Sequence, residues 1–247
     1  MTTRPFYGRL GGKSKSAKKL IAMFPAATTY VEPFMGAGNI VLRIPKGKYA
    51  MEHINDLDPR MYQLMSDVRL IDTADIDKMD FTPRKGKWLW LHTNSLFMEA
   101  GVHRFHGNIY TIWYSFMGMG KTFANRSRSI DYFKRLQPRV RARLEGVTIT
   151  NMDAMDVIDD HKDNEEAFMY LDPPYPDTCC KAYSNETMDL EKLRDKLASA
   201  KCKWMLTYND HPTIRDLYKD FKIIENRVEY HMGGRGRVVT ELVIMNY

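Results

Sequence analysis

Residues 167–175 read AFMYLDPPY, an apolar run of five residues that ends in a polar turn. A short apolar run bounded by a turn is typical of a β-strand. Two adjacent prolines, Pro173 and Pro174, fix the backbone after it and remove two N–H donors, so the carbonyl groups there point outward without ladder partners. The segment therefore predicts a strand that ends at Asp172, with Tyr175 close behind it.

Strand and helix patterns alternate on both sides of this run. Before it, TTYVE and YAMEHIND predict strands, while GAGNIVLRI and PRMYQLMSDVRL predict helices. After it, MDLEKLRDKLASA predicts a helix and KCKWMLTYND a strand, and two further strands close the chain around MGGRG. This alternation predicts an α/β fold with a parallel sheet, in which ligands bind beyond the carboxyl ends of the strands.

Residues 72–146 interrupt the alternation. WLWLHTNSLFMEA predicts a helix, NIYTIWYSFMGMGKTFANRSRS predicts a β-hairpin around Gly118 and Gly120, and IDYFKRLQPRVRARL predicts a helix that Pro138 bends or splits. We therefore expect a mostly helical inserted domain at 72–146 and a main domain formed by residues 1–71 and 147–247.

The composition excludes several classes of protein. Hydrophobic residues make up 44% of the 247 residues and charged residues 28%, which argues against disorder. No apolar stretch approaches the roughly 18 residues of a membrane-spanning helix, and the basic N-terminus lacks the apolar core of a secretory signal. The three cysteines form no CxxC pair and the seven histidines are scattered, so we expect no metal site and a reducing cytoplasm.

The positive charge is concentrated in segments. The net charge is +6, and residues 121–143 carry eight basic residues and one acid, interleaved with Phe123, Tyr132 and Phe133. Basic side chains can contact phosphates while aromatic rings contact bases. This segment predicts a nucleic-acid surface, although a basic block can also be a solvated helix face. The candidate DNA-binding residues are Lys121, Arg126, Arg128, Lys134 and Arg141.

Polar residues also follow three other predicted strands. The turn EPFMGAG, residues 32–38, has glycines that would let a ligand approach the backbone, and a tight turn explains them equally well. Asp56 in NDLD follows the second strand, where an acid commonly accepts hydrogen bonds from ribose hydroxyls, while Asp58 before Pro59 is as well explained as a helix cap. Asp153, after VTIT, could meet an adenine amino group or cap the next helix.

The DPPY turn suits a planar substrate with an exocyclic amino group. Tyr175 can stack on the ring, while Asp172 and the Pro173 carbonyl accept the two amino hydrogens. A structural turn with a spare aspartate is the alternative explanation.

Four motifs, taken in chain order, resemble those of the Dam-type (D12 class) DNA adenine-N6 methyltransferases: GGK at 11–13, EPFMGAG at 32–38, NDLD at 55–58 and LDPPY at 171–175. The resemblance covers most of the chain outside the insertion, and TELVIMNY at the end is similar to the final strand of that family. It implies a Rossmann-like sheet, with a target-recognition domain inserted between the cofactor half and the catalytic half.

The resemblance also implies site residues. The expected S-adenosylmethionine contacts are Tyr7, Lys13, Glu32, Pro33, Phe34, Gly36, Gly38, Asp56, Asp153 and Asp172. The expected catalytic residues, which bind the target adenine, are Asp172, Pro173 and Tyr175. Many relatives carry an aromatic residue where this chain has Arg9, and we expect Tyr7 to take its place.

The implied function is site-specific methylation of adenine N6 in double-stranded DNA, on a base flipped out of the duplex, in a short palindrome with GATC as one candidate. S-adenosylmethionine is the methyl donor, S-adenosylhomocysteine is the product, and no metal is required. We expect a cytoplasmic monomer or weak dimer of bacterial, phage or other viral origin, without a membrane and with a cognate restriction enzyme as a candidate partner. The alternatives are a cytosine-N4 or RNA methyltransferase with the same loop, and a non-catalytic DNA-binding module.

Overall fold

The structure, a computed structural model, describes residues 2–7, 11–77, 102–113, 130–175, 188–232 and 235–247. Within these residues the strands are β1 (Thr29–Glu32), β2 (Met51–Asn55), β3 (Thr148–Thr150), β4 (Ala167–Leu171), β5 (Lys203–Asn209), β6 (Lys222–Met232) and β7 (Arg235–Met245). The α-helices are α1 (Ala17–Ile21), α2 (Pro59–Asp67), α3 (Thr73–Asp77), α4 (Val102–Trp113), α5 (Ile130–Leu144), α6 (Ala154–His161), α7 (Leu190–Ala198) and α8 (Pro212–Leu217).

The strands of this described part form one seven-stranded sheet in the order β3-β2-β1-β4-β5-β7-β6. β4 pairs in parallel with β1 and with β5, and β7 runs antiparallel to both β5 and β6. The chain therefore builds outward from β1 to β2 and β3, and then returns to the other side of β1. The carboxyl ends of β1 and β4 mark the switch point at which open α/β sheets bind ligands. The predicted α/β fold is confirmed.

β4 lies in the core. All five of its residues are fully buried, as expected for a strand with a parallel neighbour on each side. Met169 and Leu171 share one apolar cluster with Trp204 and Leu206 of β5. Burial of the strand ends at Asp172, which is half-buried.

The predicted helix over GAGNIVLRI is wrong. Residues 36–40 form turns, and a short 3-10 helix at Val41–Arg43 follows them. Gly36 and Gly38 have φ values of +54° and +71°, which a right-handed helix does not contain. The glycines therefore build a loop, and no helix N-terminus stands at this position.

The predicted extended structure at residues 108–113 is also wrong, because these residues belong to α4. Five apolar residues of this helix are buried, with the spacings of three and four residues that a helix places on neighbouring positions: Phe105, Ile109, Tyr110, Ile112 and Trp113. This periodicity outweighs the β-branched and aromatic composition that favoured a strand. The turn of the predicted hairpin lies outside the described residues.

Contacts divide the chain into two compact units. Unit 1 consists of Met1–Ser14, Met35–Lys48 and Ile54–Asn151. Unit 2 consists of Lys15–Phe34, Tyr49–His53 and Met152–Tyr247. The division into a main domain and an insertion at 72–146 stays a prediction.

Aromatic side chains form the core of unit 1. Phe133 of α5 stacks on Phe6 with ring centroids 4.6 Å apart, and it also contacts Phe105 and Trp113 of α4. α5 runs unbroken through Pro138, so the predicted helix is confirmed and the proline does not split it.

An ion pair joins α4 to α2 within unit 1. Arg104 Nε and Nη2 donate to the two carboxylate oxygens of Asp67 at 2.7 and 2.5 Å. The Asp67 side chain is fully buried, and its hydrogen bonds raise the pKa of Arg104. Removal of the arginine would leave a buried charge uncompensated.

We expect Arg104→Ala to lower the free energy of unfolding by about 3–5 kcal/mol, because the Asp67 carboxylate then lacks its counter-charge. Urea denaturation measures this loss. The double variant Asp67→Asn/Arg104→Ala carries no buried charge at this position and should recover part of it. Equal stability of Arg104→Ala and the wild type would contradict a stabilising pair.

Two histidines pair within unit 2. His53 Nδ1 in β2 and His161 Nε2 in α6 lie 2.8 Å apart, so at least one ring is neutral and accepts the hydrogen bond. Burial lowers the pKa of both rings, and the charge of His161 lowers the pKa of His53 further. Asp160 opposes the shift at both rings.

Acidification should therefore destabilise unit 2. Because the folded pKa of each histidine lies below its ordinary value of about 6.5, the unfolded chain binds these protons first as the pH falls. The contribution is present above that pH and is lost as the pH falls through the lowered values. Between about pH 7.5 and 5.5, the wild type should lose more unfolding free energy than His53→Asn/His161→Asn. Equal losses in urea denaturation would refute this role.

Candidate active site

Two hydroxyl groups hold Asp172 at the carboxyl end of β4. Thr207 Oγ1 donates to Asp172 Oδ1 at 2.9 Å, and the Tyr175 hydroxyl donates to the same oxygen at 3.1 Å. The first contact follows from the register of the two strands. Leu171 of β4 lies opposite Leu206 of β5, so Asp172, which follows Leu171, lies beside Thr207, which follows Leu206. The orientation of the carboxylate is therefore fixed through Oδ1.

The DPPY turn is also fastened to β5 through Tyr208. The buried Tyr208 hydroxyl donates to the Pro174 carbonyl at 3.2 Å, and the rings of Tyr175 and Tyr208 lie 4.9 Å apart. The Pro174 carbonyl, which was expected to lack a ladder partner, therefore has a side-chain partner. Pro173 itself is buried.

Glu32 ends β1, the parallel neighbour of β4. Its buried carboxylate accepts a hydrogen bond from the Tyr30 hydroxyl at 2.8 Å. Burial and the charge of Glu32 hold the pKa of Tyr30 well above its ordinary value. Pro33, which follows Glu32, is buried, and the half-buried Phe34 packs against the core of unit 2.

In unit 1, Asp56 fastens the glycine turn. Asp56 Oδ2 accepts a hydrogen bond from the Gly36 N–H at 2.6 Å, and Oδ1 accepts one from the Asp58 N–H at 2.9 Å. A third contact, from the Met35 N–H to the Asn55 carbonyl at 2.8 Å, ties the turn to the end of β2.

The two glycines of this turn serve different purposes. A Cβ atom added to Gly36 would meet no atom within 4 Å, so a ligand can approach the backbone there. Gly38 has a φ of +71°, which favours glycine, and a Cβ atom added there would also lie 3.0 Å from Met65 Cε, so the end of that side chain would have to shift.

Asp58 and Asp153 cap helices. Asp58 accepts a hydrogen bond from the Arg60 N–H at 3.0 Å at the start of α2, and Asp153 accepts one from the Met155 N–H at 2.8 Å at the start of α6. The capping alternative is confirmed for both residues. A carboxylate can accept further hydrogen bonds, so a contact of Asp153 with a cofactor stays a prediction.

Tyr7 and Lys13 are buried polar residues of unit 1. The Tyr7 hydroxyl lies 3.0 Å from Met61 Sδ, and Lys13 Nζ donates to the Gly11 carbonyl at 3.3 Å. Their contact with a cofactor also stays a prediction.

Three of the candidate DNA-binding residues lie outside the described residues: Lys121, Arg126 and Arg128. Lys134 forms an ion pair with Asp77, and Arg141 Nη1 donates to the Ile71 carbonyl at 3.3 Å. These contacts stabilise the packing of unit 1, and a contact of either residue with DNA stays a prediction.

Sequence reasoning missed the importance of Thr207, Tyr208 and Asn151. Asn151 Nδ2 donates to the carbonyls of Asp56 and Leu57 at 2.7 and 3.0 Å, so it secures the loop after β2. The sequence signal for Thr207 and Tyr208 was their position in β5, immediately before its polar end.

No group of three or more His, Cys, Asp and Glu side chains that could hold a metal ion is present among the described residues. In the same part of the chain, no helix has both the length and the apolar character needed to cross a membrane.

The chain matches the family described as D12 class N6 adenine-specific DNA methyltransferase over residues 10–100 and 103–232. The chain belongs to this family. The resemblance found in the motifs is thereby confirmed. No curated protein matches this methyltransferase in sequence.

Several solved structures are similar to this chain at low identity. The Escherichia coli protein yhhF, named as a candidate methyltransferase, is 11% identical with a TM-score of 0.43, over 98% of this chain and 90% of its own. Precorrin-6y C5,15-methyltransferase from Geobacter metallireducens is 9% identical with a TM-score of 0.39, over 94% and 85%. TYW2 of P. horikoshii, in complex with MeSAdo, is 12% identical with a TM-score of 0.34, over 96% and 64%. Likenesses this distant carry no argument about chemistry.

The D12-class methyltransferase has the Rossmann-like sheet that the motifs implied, and its fold implies S-adenosylmethionine as the cofactor. The residues of unit 1 fit such a group. Asp56 is a carboxylate at a strand end, and the backbone at Gly36 is open to close approach.

We expect Asp56→Ala to weaken S-adenosylmethionine binding roughly tenfold or more, because the glycine turn loses its charge-assisted hydrogen bond from Gly36 and the loop after β2 loses the one from the Asp58 N–H. Calorimetry with the purified protein measures the affinity. Asp58→Ala is the matched control: it removes the cap of α2, at a cost of about 1 kcal/mol of stability, and should leave the affinity unchanged. An unchanged affinity in Asp56→Ala would contradict this function of the carboxylate.

Proposed function

We propose that this D12-class enzyme transfers a methyl group from S-adenosylmethionine to N6 of an adenine in double-stranded DNA. The observation that carries the proposal is the placement of Asp172. Its carboxylate stands at the end of a buried strand, held by Thr207 and Tyr175, at the switch point of the sheet. A carboxylate so fixed suits recognition of an amino group.

The adenine amino group needs this help because its lone pair is delocalised into the ring. Hydrogen bonds from the two N6 hydrogens to Asp172 and to the Pro173 carbonyl favour a pyramidal nitrogen with a localised lone pair. The cofactor supplies an electrophilic methyl group on a sulfonium. Asp172 stabilises the positive charge that develops on the nitrogen, which is preorganised electrostatic catalysis. The methylated nitrogen then loses one proton to give neutral N6-methyladenine.

Tyr175 is the proposed stacking surface for the target base. Its hydroxyl donates to Asp172, which sets an aromatic ring next to the carboxylate. A base in a duplex must leave the stack to reach such a group, so we propose that the adenine is flipped out.

The basic segment at residues 121–143 is the proposed DNA-contacting region. Its charge and aromatic content support phosphate and base contacts. Lys121, Arg126 and Arg128 are the proposed contacts there, and a short palindrome such as GATC is the proposed target.

Analysis of product nucleosides tests the proposed substrate. Purified protein is incubated with labelled S-adenosylmethionine and either duplex DNA or RNA, and the digested nucleosides are separated. We expect label in N6-methyldeoxyadenosine alone. Label in N4-methyldeoxycytidine or in RNA would instead assign the alternative substrates.

We expect Asp172→Ala to lower kcat on duplex DNA by roughly 100-fold or more, because the developing charge on N6 loses its partner. Steady-state kinetics measure this effect. Asp163→Ala is the control: this exposed aspartate precedes β4, at the opposite end of the strand, and its exposed ion pairs with Lys162 and Lys201 contribute little. An Asp172→Ala variant with near-wild-type kcat would exclude the mechanism.

A non-catalytic DNA-binding module is the alternative from another class. It has no use for a methyl donor, so calorimetry would show DNA binding without any heat of S-adenosylmethionine binding. We expect heat from both ligands.

A further inference from the structure

We propose that Thr207 is a positioning residue for Asp172, and that the Tyr170 hydroxyl directs the proton of Thr207 toward the carboxylate. This inference deepens the proposed function, on which it rests. It assigns to β5 a part in methyl transfer through a residue that acts on the catalytic aspartate and need not contact the substrate.

Three polar groups form a chain that leads from the buried core to the half-buried Asp172. The Tyr170 hydroxyl lies 3.0 Å from Thr207 Oγ1, and Thr207 Oγ1 lies 2.9 Å from Asp172 Oδ1. Tyr170 and Thr207 are both fully buried. Buried hydroxyls make hydrogen bonds of higher electrostatic strength than exposed ones, and successive bonds polarise one another.

The number of hydroxyl protons decides which group donates and which accepts in this series of hydrogen bonds. Thr207 has a single hydroxyl proton and three acceptors within reach: Asp172 Oδ1 at 2.9 Å, the Tyr170 hydroxyl oxygen at 3.0 Å and the Leu171 carbonyl at 3.3 Å. The carboxylate oxygen is the nearest of the three, and a carboxylate accepts a stronger hydrogen bond than a hydroxyl or a carbonyl. With this proton committed, the oxygen of Thr207 accepts from Tyr170. The order of donation is therefore Tyr170 to Thr207 to Asp172.

The chain fixes the carboxylate without introducing a charge. A lysine or arginine in place of Thr207 would neutralise Asp172 and oppose its interaction with a developing positive charge. A neutral hydroxyl on a rigid central strand restrains the rotation of the carboxylate and leaves its charge in place. Orientation errors of this kind reduce kcat more than they reduce ground-state binding.

The test compares three substitutions in the full chain. Thr207→Val keeps the size and branching of the side chain and removes the hydroxyl. Thr207→Ser keeps the hydroxyl. Tyr170→Phe keeps the ring and removes the donor to Thr207. For each variant, kcat and KM are measured on duplex DNA, together with the affinity for S-adenosylmethionine by calorimetry.

We expect Thr207→Val to lose roughly tenfold or more in kcat, the scale of one hydrogen bond to a charged group. Its S-adenosylmethionine affinity should stay within about twofold of the wild type, since our proposed cofactor contacts do not include Thr207. Thr207→Ser should recover most of kcat, and Tyr170→Phe should lose less than Thr207→Val. A merely structural residue would not separate kcat from cofactor affinity in this way.

Thr29→Val is the matched control. Thr29 is a buried threonine of β1, and its hydroxyl has no hydrogen-bond partner among the described residues. The same substitution there should leave kcat unchanged. An equal loss of kcat in Thr29→Val would show a general effect of the change on the sheet and would overturn the proposal.

Two other results would overturn it. One is a Thr207→Val variant with wild-type kcat, and the other is a failure of Thr207→Ser to restore kcat. If Thr207→Val does not fold, Tyr170→Phe decides, and full activity of that variant contradicts the chain of donors. A wild type that methylates no adenine would refute the proposed function, whereas full activity of the variants refutes this inference alone.

Discussion

β4 has no residue in contact with solvent, because it lies between two parallel strands and under apolar side chains. Because the strand is buried, a charged side chain can occur only after the strand ends. Asp172 is the first residue after the strand, so it stands at the boundary of the core. A carboxylate at such a boundary is costly unless hydrogen bonds satisfy it. Thr207 and Tyr175 supply them, and β5, which lies beside β4 in the sheet, carries the first of these donors.

The carboxylate at the end of β2 is also satisfied by hydrogen bonds, but from a different kind of donor. There Asp56 accepts hydrogen bonds from backbone N–H groups of Gly36 and Asp58. The positive φ of Gly36 lets the turn present its N–H to the carboxylate without steric strain. Each carboxylate thus does two things: it orders the loop around it, and it carries a charge at a strand end where a substrate or cofactor can be recognised.

Much of this arrangement could be predicted from sequence, since local signals specify it. The apolar run before Asp172 predicted β4, and Asp58 before Pro59 predicted the start of α2. The helix predicted after Gly36 failed because positive φ values are a backbone property that apolar periodicity does not encode. Thr207 was missed for a different reason: its contact with Asp172 depends on the register of β5 against β4, which is set by tertiary packing.

We propose that the carboxylate of Asp172 enables this chain to methylate adenine in DNA. Sequencing that detects modified bases, applied to DNA from a methylation-deficient host that expresses the protein, tests it most directly. We expect N6-methyladenine at one short motif with the wild type and none with Asp172→Ala. Unmodified adenine with both the wild type and the variant, or equal modification with both, would contradict this role of Asp172.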